Sequence, residues 1–474
     1  MCRASNIWDF QKYASNIAVV QESGSVVTYG DLLKASLNLT ETIPKRSLVL
    51  CLCKNSLGSL LGYTAFLNAQ IVPLMLDEGV DRVALHDLIE VYNPEYFWVP
   101  SEISRNFDNC VSIHSSFDFT LLRNKFGRRQ VLHKDLALLL TTSGSTGSRK
   151  LVRQSYQNLK SNTESIVEYL EISHEDRSIT TLPMSYTYGL SIINSHLHAG
   201  ASMIFTSKTL VQKEFWQQLK TYNATSFGGV PFTYEMLNRL KFFRMDIPSI
   251  KVMTQAGGRL TTELQKKFAS YAEKTGKRFY VMYGQTEATA RMSYLPCKKA
   301  LEKCGSVGVA IPNGRFFLIN DENKKITDCN TVGELGYAGK NVSLGYAEDA
   351  KDLARGDENQ GVLLTGDMAK IDKDGFYWLV GRKKRFLKIF GNRINLDETE
   401  DILKNRFCDS DLACSGVDDE LQIYITNNKI IDDVRQYLSE KLRLNHVAFT
   451  IKYINEIPKN ESGKTAYKDL GSLV

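Results

Sequence analysis

The run Leu138-Leu139-Leu140 leads straight into Thr141-Thr142-Ser143-Gly144-Ser145-Thr146-Gly147-Ser148-Arg149-Lys150. No other stretch constrains the fold as much. A short apolar run bounded by turn residues reads as a buried strand. Gly144 and Gly147 let the backbone approach a ligand and take φ > 0 at little cost. The hydroxyls of Ser143, Ser145, Thr146 and Ser148 can donate, and the loop can aim N–H groups inward as an anion nest. Lys150 adds a point charge. The plain alternative is a solvated Ser/Gly turn. The spacing is not that of the P-loop, since the glycines lie too close and Leu151 follows Lys150. Taken together, these residues suit a loop that holds the polyphosphate tail of a nucleotide.

A chain of 474 residues exceeds one ordinary core, so two or more domains are expected. A net charge of +6, with both signs mixed along the chain, is too mild to argue for nucleic acid. The opening residues mix Arg3, Asp9, Lys12 and Glu22 with apolar ones, which does not spell a signal peptide. The most apolar segment, Leu57 to Leu76, is broken by Gly58, Asn68, Gln70 and Pro73. It reads as a buried helix and a strand, not a membrane span. Nine scattered cysteines offer neither a C-x-x-C pair nor zinc spacing, and suit reduced thiols in the cytoplasm.

Residues 1 to about 135 alternate strand-like and helix-like patterns, as α/β layers do. Ser47–Cys53 and Ile71–Met75 read as strands, Leu57–Leu67 and Ser155–Leu170 as helices. His196 and His198 share a helix-like run but face opposite sides of it, so they read as structural. Phe227-Gly228-Gly229-Val230-Pro231-Phe232 and Gln255-Ala256-Gly257-Gly258-Arg259 are strand-end turns, where open α/β folds bind ligands. In Tyr283-Gly284-Gln285-Thr286-Glu287, Tyr283 offers a flat face and Thr286 a hydroxyl donor, while Glu287 offers a hard oxygen ligand for Mg²⁺. Asp367, in Leu364-Thr365-Gly366-Asp367, can accept from both ribose hydroxyls, and Arg382 can donate to the same sugar. Asp374-Gly375 between apolar runs signals a hairpin.

The ordered set T-S-G-S-T-G-x-x-K, Y-G-x-T-E, T-G-D, G-R and a closing P-K-x-x-x-G-K resembles the AMP-forming adenylating enzymes. That superfamily holds acyl-CoA synthetases, adenylation domains of nonribosomal peptide synthetases and firefly-type luciferases. The resemblance covers nearly the whole chain. It implies an α/β fold: a large N-terminal domain of layered sheets and helices, 1–382, and a small mobile α+β lid, 383–474. It implies a nucleotide site made by Thr142, Ser143, Gly144, Ser145, Thr146, Gly147, Lys150, Gly257, Gly258, Tyr283, Gly284, Asp367 and Arg382. Thr286 would bind the α-phosphate, and Glu287 the metal. Lys464 would be the catalytic lysine, stabilising charge between the acid and the α-phosphate. Lys384 falls at the hinge, where Asp is common, and Lys388 and Gly391 on the loop used for thioester formation. Tyr186, Tyr188, Gly229 and Phe232, with Tyr234, would wall the acid pocket. Tyr186 stands where the family often has His, and Arg259 where a small or acidic residue is usual.

The expected activity is ATP-dependent, Mg²⁺-dependent joining of a small carboxylic acid to a thiol through an acyl-adenylate. CoA is the expected thiol, and a phosphopantetheinyl acyl carrier protein the alternative. A non-catalytic nucleotide-binding protein of the same fold is an alternative of another class, favoured only by Arg149 and Leu151 around Lys150. The stretch Met184-Ser185-Tyr186-Thr187 lacks the Asp that pairs an amino-acid ammonium, so an acid without an α-amino group is expected.

Overall fold

The computed structural model describes residues 7–141, 150–389, 392–417, 419–442, 445–459 and 465–470. Side chains at 384, 386, 388, 392, 393, 442, 447 and 468 are outside that description. Contacts divide the chain into two compact units, residues 1–315 with 337–363, and residues 316–336 with 364–474.

The first unit contains two large sheets. One has eight strands with the parallel core Leu136–Thr141, Val72–Asp77, Leu48–Cys53 and Tyr96–Pro100. Leu48–Cys53 is apolar throughout and wholly buried, as a strand covered on both faces must be. Antiparallel partners flank this core. Leu151–Ser155 pairs with Leu136–Thr141 on one side and with Gly345–Ala347 on the other. The second sheet has nine strands, parallel through its centre from Arg278–Tyr283 to Ile17–Val20.

The helix Leu57–Asn68 explains how the layers join. Its residues Leu57 to Leu67 are all buried, so it has no polar face to give to water. It packs in one apolar cluster with Val49, Cys51 and Met75 of the first sheet and Val19 and Met203 of the second. The Trp98 indole donates to the Gly58 carbonyl at 2.8 Å, and a Cβ on Gly62 would lie 2.3 Å from that indole. Among the described residues no helix is long and apolar enough to cross a membrane.

The second unit holds most of a five-stranded sheet, ordered Lys325–Ile326, Arg315–Ile319, Gly333–Ala338, Val362–Ile371 and Tyr377–Arg382. Its last two strands form the hairpin that Asp374-Gly375 signalled, with Gly375 at φ +85°. Beyond it come the short pair Phe386–Ile389 and Asn392–Asn395, then the three strands Leu412–Val417, Glu420–Ile425 and Phe449–Tyr453. The helices Leu396–Arg406 and Ile431–Leu442 share a core with them around Leu403, Ile423, Val434 and Leu438.

Candidate active site

The strand Leu136–Thr141 delivers the chain to the glycine loop, and Leu151–Ser155 carries it back antiparallel. Thr142, Ser143, Gly144, Ser145, Thr146 and Gly147 lie outside the described residues. Lys150 is described. Its Nζ stands 3.7 Å from the centroid of the Tyr346 ring and 3.7 Å from Glu348 Oε1. The Tyr346 hydroxyl donates to Glu287 Oε1 at 2.6 Å. Burial and the neighbouring Glu287 charge push the Tyr346 phenol up, so it keeps its proton and donates. One aromatic side chain thus touches both the lysine beside the loop and the carboxylate of the Y-G-x-T-E motif.

Two neighbours fix this group. Gln154 Nε2 donates to the Thr286 carbonyl at 3.0 Å, while Gln154 Oε1 is buried without a hydrogen-bond partner among the described residues. Arg153 is fully buried; it donates to the carbonyls of Tyr346, Leu344 and Arg355 and pairs with Glu358 at 2.5 Å. The strand bearing Tyr346 is therefore held by charge as well as by its ladder.

The Y-G-x-T-E turn is tight. A Cβ on Gly284 would lie 1.6 Å from the Ala290 carbonyl oxygen, which only glycine avoids. Thr289 and Ala290 take φ of +54° and +88°, costly values for side-chain-bearing residues. Asn341 Nδ2 donates to the Ala288 carbonyl at 2.8 Å, and Thr289 Oγ1 to the Asn341 carbonyl at 2.8 Å. These bonds hold the strained turn in place.

In the nine-stranded sheet, Gly229 is level with Gln255, and Gln255 with Val281. The turns bearing Gly229, Gly257 and Tyr283 therefore leave the parallel sheet at the same edge. Gly257 has φ +81°, and a Cβ there would lie 2.6 Å from the Tyr186 hydroxyl. Tyr186 meets Tyr188 edge-on at 6.3 Å. The hydroxyls of Tyr188 and Tyr234 both donate to the Thr254 carbonyl, at 2.9 and 2.8 Å. Burial raises the phenols of Tyr186 and Tyr188, the latter to about 12, so both are neutral. Phe232 is 57% exposed. Gln255 Nε2 donates to the Gly258 carbonyl at 2.8 Å, and Gln255 Oε1 is buried and unpartnered among the described residues.

In the second unit, Asp367 and Arg382 are cross-strand partners, with Nε to Oδ1 at 2.7 Å. Asp367 is buried, and its N–H donates to Thr365 Oγ1 at 3.0 Å. The two residues expected at the ribose are thus adjacent. The side chains of Lys384 and Lys388, and the whole of Gly391 and Lys464, lie outside the described residues. The flanks of Lys464 are described: Lys459 bridges to Thr465, and the Tyr467 hydroxyl donates to Glu400 at 3.0 Å. Glu400 in turn pairs with Arg385 at 2.5 Å, and Arg385 stacks 3.8 Å over Tyr467.

Residues 8–347 match the family model described as AMP-binding enzyme. The chain belongs to that family. It is 26% identical over 459 residues to the probable CoA ligase CCL5 of Humulus lupulus, covering 90% of this chain and 81% of that one. Other CoA ligases that it matches, from Arabidopsis thaliana and Saccharomyces cerevisiae, are spanned over 62% to 66% of their length. Among solved structures, the chain resembles the O-succinylbenzoate Coenzyme A synthetase of Bacillus subtilis in complex with AMP. The TM-score is 0.80 at 19% identity, over 98% of both chains. The same enzyme with ATP and a magnesium ion gives 0.78, again at 19% identity and over 98% of both chains. The α/β fold class and the reading as an AMP-forming ligase using ATP, Mg²⁺ and CoA agree with these findings. The donor set fits a hard cation: Glu287 offers a carboxylate, and Gln154, bonded to the carbonyl of the preceding Thr286, has an Oε1 without a partner among the described residues.

Proposed function

We propose that this chain joins a carboxylic acid without an α-amino group to CoA, in two steps through an acyl-adenylate. The Lys150–Tyr346–Glu287 contact carries the reading, because it sets a cation and a metal-ligating carboxylate on one rigid side chain beside the glycine loop. The acid's carboxylate oxygen attacks the α-phosphorus of ATP and pyrophosphate leaves. The thiol sulfur then attacks the acyl carbon, and AMP leaves. Mg²⁺, held by Glu287, would neutralise phosphate charge.

The chain's own residues position and stabilise. Residues 142–147 and Lys150 hold the triphosphate. Thr286 donates to the α-phosphate, and Tyr283, Gly257 and Gly258 border the base. Asp367 and Arg382 hold the ribose, with the Asp367 carboxylate accepting from the sugar hydroxyls. Lys464 brings a positive charge to the developing anion, which is electrostatic stabilisation, with no protein nucleophile. Residues 383–474 act as the lid, turning about Lys384 and presenting Lys388 and Gly391 for the second step. Tyr186, Tyr188, Gly229 and Phe232 wall the acid site. The CoA acceptor is supported by those relatives that are CoA ligases by name. The enzyme works in the cytoplasm, in keeping with its free cysteines at 51, 53, 110, 297, 304, 329, 408 and 414.

The test is pyrophosphate release from ATP over a panel of acids, with and without CoA, beside Lys464→Ala. Acid-dependent release that rises with CoA and falls at least ~10²-fold in the variant is expected. Equal release by the variant would remove Lys464 from the mechanism. Release on amino acids alone would overturn the substrate reading.

A further inference from the structure

The expected hinge, Lys384, sits in a short turn between two anchored neighbours. On one side, Lys383 Nζ pairs with Glu334 Oε2 at 2.6 Å. Glu334 is a buried residue of the strand Gly333–Ala338, in the five-stranded sheet. On the other side, Arg385 faces the lid. It pairs with Glu400 at 2.5 Å, donates to the Cys414 carbonyl at 3.0 Å and stacks on Tyr467. The charge before the hinge is thus tied to the five-stranded sheet and the charge after it to the lid. A rotation is confined to the residue between them.

One lid carboxylate crosses this divide. Asp397 lies in the first turn of the helix Leu396–Arg406. Its Oδ2 accepts from the Arg382 N–H at 3.0 Å, and its Oδ1 from Arg385 Nε. Arg382 precedes Lys384 in the chain and Arg385 follows it, so one side chain spans the hinge. Asn395 repeats the crossing. Its Oδ1 caps the helix at the Asp397 N–H, at 3.0 Å, and its Nδ2 donates to the Val380 carbonyl at 2.9 Å. The approach is close: a Cβ on Gly381 would lie 2.8 Å from Asn395 Oδ1 and 3.1 Å from Asp397 Oδ2. The start of a lid helix is therefore bonded to the end of the strand that carries Arg382, whose side chain pairs with Asp367 at the expected ribose site.

We propose that Asp397 is a latch across the hinge, a positioning residue that holds the lid helix on the Arg382 strand for one half-reaction and lets go of the Arg382 N–H for the other. A turn about Lys384 carries Arg382 and Asp397 with different bodies, so the two bonds of this carboxylate cannot both survive it. Asp397 keeps Arg385, since both move with the lid, and exchanges the N–H for water. That N–H lies in an exposed bond, so water can replace it at once. A hydrogen bond to a carboxylate at such a place biases the two orientations by about tenfold, enough to set a preference without freezing the lid. The inference rests on the two-step ligase reading above and deepens it.

Two rates are measured separately: acid-dependent exchange of pyrophosphate into ATP for the first step, and consumption of preformed acyl-adenylate by CoA for the second. Asp397→Ala should change the ratio of the two by about tenfold, because the lid leaves one orientation and gathers in the other. Asp397→Asn, which keeps an acceptor for the N–H, should move the ratio the same way by less, and carries the test if Asp397→Ala does not fold. Glu398→Ala takes a neighbouring acid from the same helix turn and should leave the ratio at its wild-type value. If Asp397 serves only the helix dipole, Asp397→Ala and Glu398→Ala slow both steps alike, and the unmoved ratio overturns the proposal. Should no acid support either rate, trypsin separates the two readings, since it cuts the run Arg382-Lys383-Lys384-Arg385 only where the backbone comes free. Faster nicking there in Asp397→Ala than in wild type and Glu398→Ala keeps the latch and drops the ligase; equal nicking in all three drops both.

Discussion

At the scale of single residues, the candidate site depends on a side chain from a glycine-rich stretch that reads as purely structural in the sequence. Tyr346 joins Glu287 to Lys150, and its hydroxyl bond to Glu287 is 2.6 Å long. Tyr346→Phe removes the donor and keeps the ring. Groups that orient a metal ligand are commonly worth 10- to 100-fold, so the Mg²⁺ concentration for half-maximal rate should rise about tenfold. Titrating Mg²⁺ in the pyrophosphate assay checks this, and an unchanged half-saturation would mean that Glu287 needs no orienting partner. Tyr283, Thr286 and Glu287 could be read as a candidate group because their chemistry is contiguous in sequence. Asp367 and Arg382 stand in separate motifs of the sequence, and the hairpin makes them neighbours. Tyr346 was not legible as part of the site, since it acquires that meaning only from a partner far along the chain: Glu287 lies 59 residues away.

At the scale of elements, two turns bear the strain and the charge. Gly284→Ala would drive a methyl into the Ala290 carbonyl, 1.6 Å away. A loss of about 1–3 kcal/mol in unfolding free energy is expected, with release abolished as Thr286 and Glu287 shift. Urea unfolding beside the activity assay measures both. In the second unit Arg385 bonds to Asp397 and Glu400 and to the Cys414 carbonyl, and covers Tyr467. Arg385→Met takes one of two cations from the buried Glu400 carboxylate, leaving Lys404 at 3.1 Å, at a cost of about 1–3 kcal/mol. Limited proteolysis should then release fragments of 383–474 before the rest of the chain, and resistance equal to wild type would argue against this anchor. Long apolar runs made the elements readable. Leu48–Cys53 and Leu57–Asn68 lie within a residue of the expected strand and helix. The sheet orders were not readable, because they depend on cross-chain pairs such as Leu151–Ser155 with Gly345–Ala347.

For the whole molecule, His196 sets an acid limit. Burial depresses its pKa from 6.5 to about 4, so the unfolded chain binds a proton that the folded chain refuses. Stability from this group is full above pH 6.5 and is lost as pH falls toward 4, by about 3 kcal/mol in all. His196→Asn should flatten the acid limb of a stability-against-pH curve between those values, and a limb as steep as wild type would assign acid sensitivity elsewhere.

Arg153 has a consequence for how the protein is made. Its strand leaves the ribosome early, yet the carbonyls and carboxylate that satisfy it belong to residues 344–358. From Ser155 to Gly345 is 190 residues (345 − 155), and at about 5–20 residues per second that gap lasts roughly 10–40 s. During it the nascent chain carries an open sheet edge with an unmatched guanidinium beside the unfinished phosphate loop. Slow codons between these points are therefore expected to lower the yield of native protein, as expression beside the unaltered gene would measure.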